Sequence, residues 1–280
     1  MIYLQTVDFT SENMENEKNI PESELRKERK EATSFEEGLQ MATTHIKDKL
    51  RLTKSRPLIV LVNGLTGSGK SHFAMLLESR LVSENVKGVH VETDLYQNQR
   101  FTPEEFAVHK IAWEHGEEFT RHNMKTRKDE IVTEKPDVVI ISGGGASPEH
   151  ALIYGDLKVV MQGDPLERIG SRIFRDHIQH TDAKPDPEHF MHELANPKSR
   201  DDNILKEFEE HKGTVRRYLE NADLIVKNTT RRDEPNFKLT IEKNKLHFVA
   251  THENTNYDIL EPVTLERLER LKQALEIKDD

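Results

Sequence analysis

The sequence predicts an α/β fold: a parallel β-sheet with helices on both faces, followed by a C-terminal β-hairpin and helix. Three observations carry this. Short, almost uniformly apolar runs, "PLIVLVN", "GVHVETD", "PDVVIISGGG", "LKVVMQGD" and "DLIVKN", are bounded by turn residues, as strands buried on both faces are. Stretches of helical spacing separate them, and a parallel sheet needs such crossovers. A glycine-rich turn, "NGLTGSGKSHF", joins the first of these strands to the next helix, at the strand ends where ligands of such sheets collect.

Along the chain, residues 1–33 are charge-dense and poor in large apolar groups, "ENEKNIPESELRKERKE" among them, and read as a mobile polar arm. A docking helix over 34–56 follows. Ser34 and Glu37 have capping-box spacing, and Phe35, Leu39, Ala42, Ile46 and Leu50 recur on one face. The core spans 57–228. It holds a helix over Ser71 to Val82, then one from Thr102 to about Phe119 opened by Pro103 and Glu105, one from Pro165 to about His180, and a long one from about Asp201 to Glu220. An appendage over 229–280 contains "FKLTIEKNKLHFV", a hairpin turning near Lys243 and Asn244, and the terminal helix "TLERLERLKQALE".

Composition excludes several classes. With 34% hydrophobic and 33% charged residues among 280, the chain suits one sizeable core with small appendages. No apolar run has the length of a membrane span and the N-terminus lacks signal-peptide order, so a cytoplasmic address is expected. The absence of cysteine rules out disulfides and thiolate chemistry. A net charge of -10 repels nucleic acid and anionic membranes, so neither is expected as a partner. Self-association is left open.

An anion must then be met by a local arrangement, and the glycine-rich turn supplies one. Gly64, Gly69, Lys70 and Ser71 match G-x-x-x-x-G-K-[ST], with a strand before and a helix after. Glycines let N–H groups converge on phosphate oxygens, the helix N-terminus adds partial positive charge, Lys70 reaches the terminal phosphates and the Ser71 hydroxyl can ligate Mg²⁺. ATP is the expected nucleotide, contacted by Gly64, Leu65, Thr66, Gly67, Ser68, Gly69, Lys70, Ser71 and His72. This predicts a fold of the P-loop NTPase type.

Asp94 ends the second strand in "VETDLYQNQR". There it can accept a proton from an attacking hydroxyl or orient water on Mg²⁺; alternatively it caps a turn. Tyr96 and Arg100 are candidates for touching the acceptor. In "DPLERIGSRIFRD", Arg168, Arg172 and Arg175 fall at i, i+4 and i+7 of a helix, three cations on one side that can clamp phosphates; Glu167 and Asp176 would equally make it a neutralised surface helix.

From about Pro57 to Asn228 the chain resembles the uridine kinase and phosphoribulokinase family. The likeness is carried by the phosphate loop, "DLY", the strand "VVIIS" with a glycine after it, the arginine string from Asp164 to Asp176, and "ADLIVKN". It implies a kinase moving the γ-phosphate of MgATP to a hydroxyl of a small-molecule acceptor. By it, Asp94 is the general base, Lys70 and Ser71 serve phosphate and Mg²⁺, and Arg168, Arg172 and Arg175 are lid-region groups, Arg168 assigned to the nucleotide and Arg172 and Arg175 to transfer. Two departures stand out. Ser142 occupies the position where the family has a metal-binding glutamate, and the 48 positions from Asp94 to Ser142 hold a charged stretch, "AWEHGEEFTRHNMKTRKDE", without the family's P-x-Y-D segment that encloses a nucleoside base. The alternatives are an adenylylsulfate-kinase-like or zeta-toxin-like P-loop kinase, and an ATP-binding regulator without transfer activity. The pairs His177 and His180, and His189 and His192, have metal-pair spacing with no carboxylate to complete a site.

Overall fold

The computed structural model describes residues 29–53, 57–65, 67–93, 103–123, 126, 128–143, 155–179, 185–197, 206, 216–228 and 236–275. Six parallel strands form the central sheet: β1 (Lys30–Ala32), β2 (Leu58–Gly64), β3 (Gly88–Glu92), β6 (Val138–Ser142), β7 (Leu157–Gly163) and β8 (Leu224–Asn228), in the order β1-β8-β7-β2-β6-β3. The five strands expected from their apolar runs are there. The sixth, β1, lies inside the segment expected as an arm: Lys30, Glu31 and Ala32 pair with Leu224, Ile225 and Val226.

Helices cover both faces, as uniformly buried strands require. On one face α1 (Phe35–Leu52) and α2 (Lys70–Ser83) pack Leu39, Ile46, Phe73 and Leu77 against Val60, Val62, Val138 and Ile140. Ser34 caps α1 through its Oγ, which accepts from the Glu37 amide at 3.2 Å, while Glu37 Oε2 accepts from the Thr33 amide and hydroxyl, both at 2.7 Å. The return bond of the capping box thus falls one residue earlier than its usual position. Gly38 faces β8, where a Cβ would lie 2.6 Å from both Val226 methyls.

On the other face α3 (Pro103–His115) buries Trp113 among Ile59, Leu61, Val89, Val139 and Ile141. The helix stops short of Phe119. Gly116 turns left-handed at φ 71° and the Glu117 amide returns to the Ala112 carbonyl, a Schellman-type close. Phe119 instead opens a two-stranded antiparallel ribbon, β4 (Phe119–Asn123) and β5 (Lys128–Val132). A helical turn at 216–220 places Tyr218 against Val160 and Ile225; the rest of the long helix expected over Asp201 to Glu220 lies largely outside the described residues.

A second core lies beyond the sheet. The expected hairpin, β9 (Phe237–Glu242) and β10 (Lys245–His252), turns at Lys243 and Asn244 and is extended by a third antiparallel strand, β11 (Thr255–Pro262). With α6 (Leu265–Leu275) it packs on α4 (Pro165–Phe174), a π-helical turn over Arg175–Gln179, and α5 (Pro187–Ala195), around Phe248, Ile173, Phe174, Met191 and Leu271. The helix expected from Pro165 therefore changes pitch at Arg175. No described helix is long and apolar enough to cross a membrane.

Candidate nucleotide-binding site

The phosphate loop runs from the end of β2 into α2. Its glycines have φ of 150° at Gly64, 79° at Gly67 and 90° at Gly69, conformations that side-chain-bearing residues rarely adopt. Space imposes the same choice. A Cβ at Gly64 would lie 2.5 Å from the Met161 carbonyl oxygen and 2.6 Å from Ser68 Oγ, and one at Gly67 would lie 2.4 Å from the Arg168 carbonyl oxygen and 2.8 Å from its Cα.

The loop is thus wedged between three strand ends and the first turn of α4. The Ser68 amide donates to the Leu65 carbonyl at 3.1 Å, closing the turn, and Asn228 Nδ2 at the end of β8 donates to the Ser68 carbonyl at 3.3 Å. Lys70 is 7% exposed and its Nζ donates to the Leu65 carbonyl at 3.4 Å, so its ammonium is folded under the loop. Gly69 is the N-cap of α2 and provides no side-chain cap, which suits the first N–H groups of the helix to an anion. Ser68 is fully buried, with no partner for its Oγ among the described residues. Ser71 sits in the first turn. His72 packs on Phe35 of α1 at 5.5 Å between ring centroids, and Phe35 in turn meets Phe73 at 5.3 Å edge to face, so the docking helix buttresses the loop helix.

The three arginines part company. Arg168 is buried, with its backbone against Gly67 and its Cγ 3.3 Å from where a Cβ of Gly163 would stand. Arg172 Nε lies 3.7 Å from Asp176 Oδ2, with its guanidinium 5.9 Å from the Phe190 ring centroid; Arg175 grips both Asp176 oxygens at 2.6 and 3.1 Å. The helix thus brings the first arginine to the loop and joins the other two to Asp176. Thr66, Asp94, Tyr96 and Arg100 lie outside the described residues, as do Gly144 to Ser147.

Ser142 is wholly buried at the end of β6. Its Oγ donates to Glu92 Oε2 at 2.8 Å and lies 2.8 Å from His90 Nε2. Burial lowers the His90 pKa to about 4, the nearby Glu78 carboxylate opposing that shift and Arg121 reinforcing it. Arg121, from the ribbon, pairs with Glu78 of α2 and with Glu130 at 3.3 Å. Neither Asn228 nor Glu92 is singled out by sequence reasoning. "ADLIVKN" marks the strand, but the reach of Asn228 into the loop arises only once β8 lies two strands from β2. Of the histidine pairs, His180 lies outside the described residues; His177 packs on Phe190 at 4.6 Å, His189 lies 3.4 Å from Glu193 and His192 3.4 Å from Glu261, and no group of three metal-ligating side chains occurs among the described residues.

The parallel sheet, the loop between its central strand and α2, and the helices on both faces define the P-loop type of α/β fold. Among solved structures, the chain is similar to one described as a "putative fructose transport system kinase" from Silicibacter sp. TM1040, with 16% identity, a TM-score of 0.42, and coverage of 67% of this chain and 98% of that one. It is also similar to one described as a "possible uridine kinase" from Bacillus stearothermophilus, with 12% identity, a TM-score of 0.37, and coverage of 66% and 99% respectively. No family model and no curated protein matches the chain.

Proposed function

We infer that the chain is a P-loop kinase that moves the γ-phosphate of ATP to a hydroxyl of a small molecule. The observation that carries this is the loop itself: three left-handed or near-extended glycines locked by Met161, Arg168 and Asn228, over a buried Lys70. The glycines let the loop's N–H groups converge with no side chains in the way. It suits the phosphates of a nucleoside triphosphate.

The residues present also fit a divalent cation. Ser71 in the first turn of α2 offers a hydroxyl, and bound Mg²⁺ would neutralise charge on the phosphates. Lys70 stabilises the charge on the moving phosphoryl group, Arg168 lies with the nucleotide, and Asp94, two residues beyond β3, is the candidate for taking the acceptor's proton. Tyr96 and Arg100 remain candidates for the acceptor, with Arg172 and Arg175 reserved for transfer should they leave Asp176. Ser142 in the place of an acid favours the second reading, an ATP-binding regulator.

Acceptor-dependent ADP release over a panel of alcohols, sugars and nucleosides separates the two. One acceptor is expected to raise ADP formation well above its basal rate, and Lys70→Ala to lose that rate by at least about 100-fold, the scale of a removed transition-state contact. Tight ATP binding with no turnover on any acceptor, or near-normal turnover in Lys70→Ala, would end the kinase reading.

A further inference from the structure

A chain of three buried polar side chains lies under α2: His90, Ser142 and Glu92, at 2%, 0% and 2% exposure. The serine hydroxyl has a single proton, and it is donated to the Glu92 carboxylate. His90 must then donate from Nε2 to Ser142 Oγ across 2.8 Å. Because His90 donates to Ser142, it cannot act as a histidine base toward that hydroxyl. What the chain does is hold one carboxylate oxygen in a fixed orientation.

That carboxylate stands at a telling height. Val62, Ser142 and Glu92 form one row across β2, β6 and β3. Val138 and Ile140 face α2, and by strand alternation so does Ser142, taking Glu92 with it. At the opposite end of β3, a Cβ on Gly88 would sit 3.8 Å from Glu78 Cα and 3.4 Å from Leu81 Cβ, which fixes the level of the helix there. Glu92 is four residues further along the strand, about 13 Å. The helix returns antiparallel at about 1.5 Å per residue, so the same climb takes about nine residues, from Glu78–Leu81 back to the level of Lys70 and Ser71. The carboxylate therefore stands at about the level of the first turn of the loop helix.

We propose that Glu92 supplies the carboxylate facing the divalent cation of the bound nucleotide, in place of an acid at Ser142, with Ser142 and His90 as positioning residues. This rests on the phosphate-loop reading above, and the two can fail separately.

Binding of ADP by calorimetry, with and without Mg²⁺ and repeated with Mn²⁺, tests it on the full chain with no acceptor present. Metal-free ADP binding reports on the loop; the gain in affinity on adding metal reports on Glu92. The wild-type chain should show that gain. Glu92→Gln keeps the shape and the bond from Ser142, so it should bind metal-free ADP as well as wild type or better, while losing about 10-fold or more of the gain. Its Mn²⁺–ADP complex should also show an altered electron paramagnetic resonance spectrum. Should Glu92→Gln not fold, Ser142→Ala reads the same point from the donor side and should lose part of the gain. A full metal gain in a folded Glu92→Gln or Ser142→Ala, or no gain in wild type, overturns the proposal. Failure of wild type to bind ADP under either condition would instead overturn the loop reading on which it stands.

Discussion

The phosphate loop joins residues whose chemistry is local, glycine chosen for φ, lysine for charge and serine for a hydroxyl, to partners far away in the chain. Asn228 lies 160 positions from Ser68, and Arg168 about a hundred from Gly67, so only the folded sheet and α4 reveal them. Glu92 hid for another reason: a glutamate near a strand end is unremarkable until its hydrogen bond to Ser142 across the sheet is seen. Gly67 offers the sharpest residue-level test. At φ 79°, with Arg168 backbone where a side chain would go, Gly67→Ala should force the loop from α4. We expect at least about 1 kcal/mol of lost stability and a clear loss of ADP affinity, read from a melting curve and a titration on one preparation. Wild-type values in both would show that the loop tolerates displacement and is not a rigid cradle.

Among the elements, uniformly apolar strands and capped helices were readable, whereas those decided by tertiary contacts were not. β1 is three residues of charged sequence in which only Ala32 is buried, and its strand character comes from pairing with β8. The β4–β5 ribbon is disguised by its charge, because Arg121 meets Glu78 and Glu130 while, among its described residues, only Phe119 and Val132 reach the core. Gly38, an unfavourable residue in a helix, is explained by the close approach of α1 to Val226. On the three-stranded sheet, His247 of β10 is bracketed by Asp258 Oδ1 at 2.8 Å and Glu242 Oε1 at 3.1 Å. Bonds to Asp258 and then Glu242 raise its pKa, and the His247 bond holds Glu242 low. A raised histidine stabilises the fold fully below its unfolded pKa of about 6.5 and loses that contribution as pH rises through the folded value; the lowered Glu242 loses its own as pH falls through its folded value. The window therefore lies between the two. His247→Gln should lower the melting temperature most at about pH 6 and progressively less toward about pH 9. A difference independent of pH would show that the ring acts by packing alone.

At the scale of the whole molecule, the two cores meet in α4. Its first turn backs the phosphate loop at Gly67, and its apolar side, with Ile169, Ile173 and Phe174, belongs to the core closed by β9, β10 and β11. Gly170 seals the join, since a Cβ there would stand 2.9 Å from the Phe237 ring. A chain that folded its C-terminal sheet independently would not share a helix this way, so unfolding is expected to be a single cooperative event. Phe248, wholly buried on the middle strand, tests this. Phe248→Ala should cost about 3–5 kcal/mol from lost burial and the cavity left behind. In a chain of this size that lowers the melting temperature on the order of 10 °C. The whole calorimetric transition should move as one, and a saturating excess of MgADP should raise it again, because ligand binding to the folded state stabilises everything that unfolds with the loop. A variant in which a small transition splits off at low temperature, while the main, nucleotide-sensitive transition stays at its wild-type position, would show that the C-terminal sheet is an independent appendage and that α4 is held by the loop side alone.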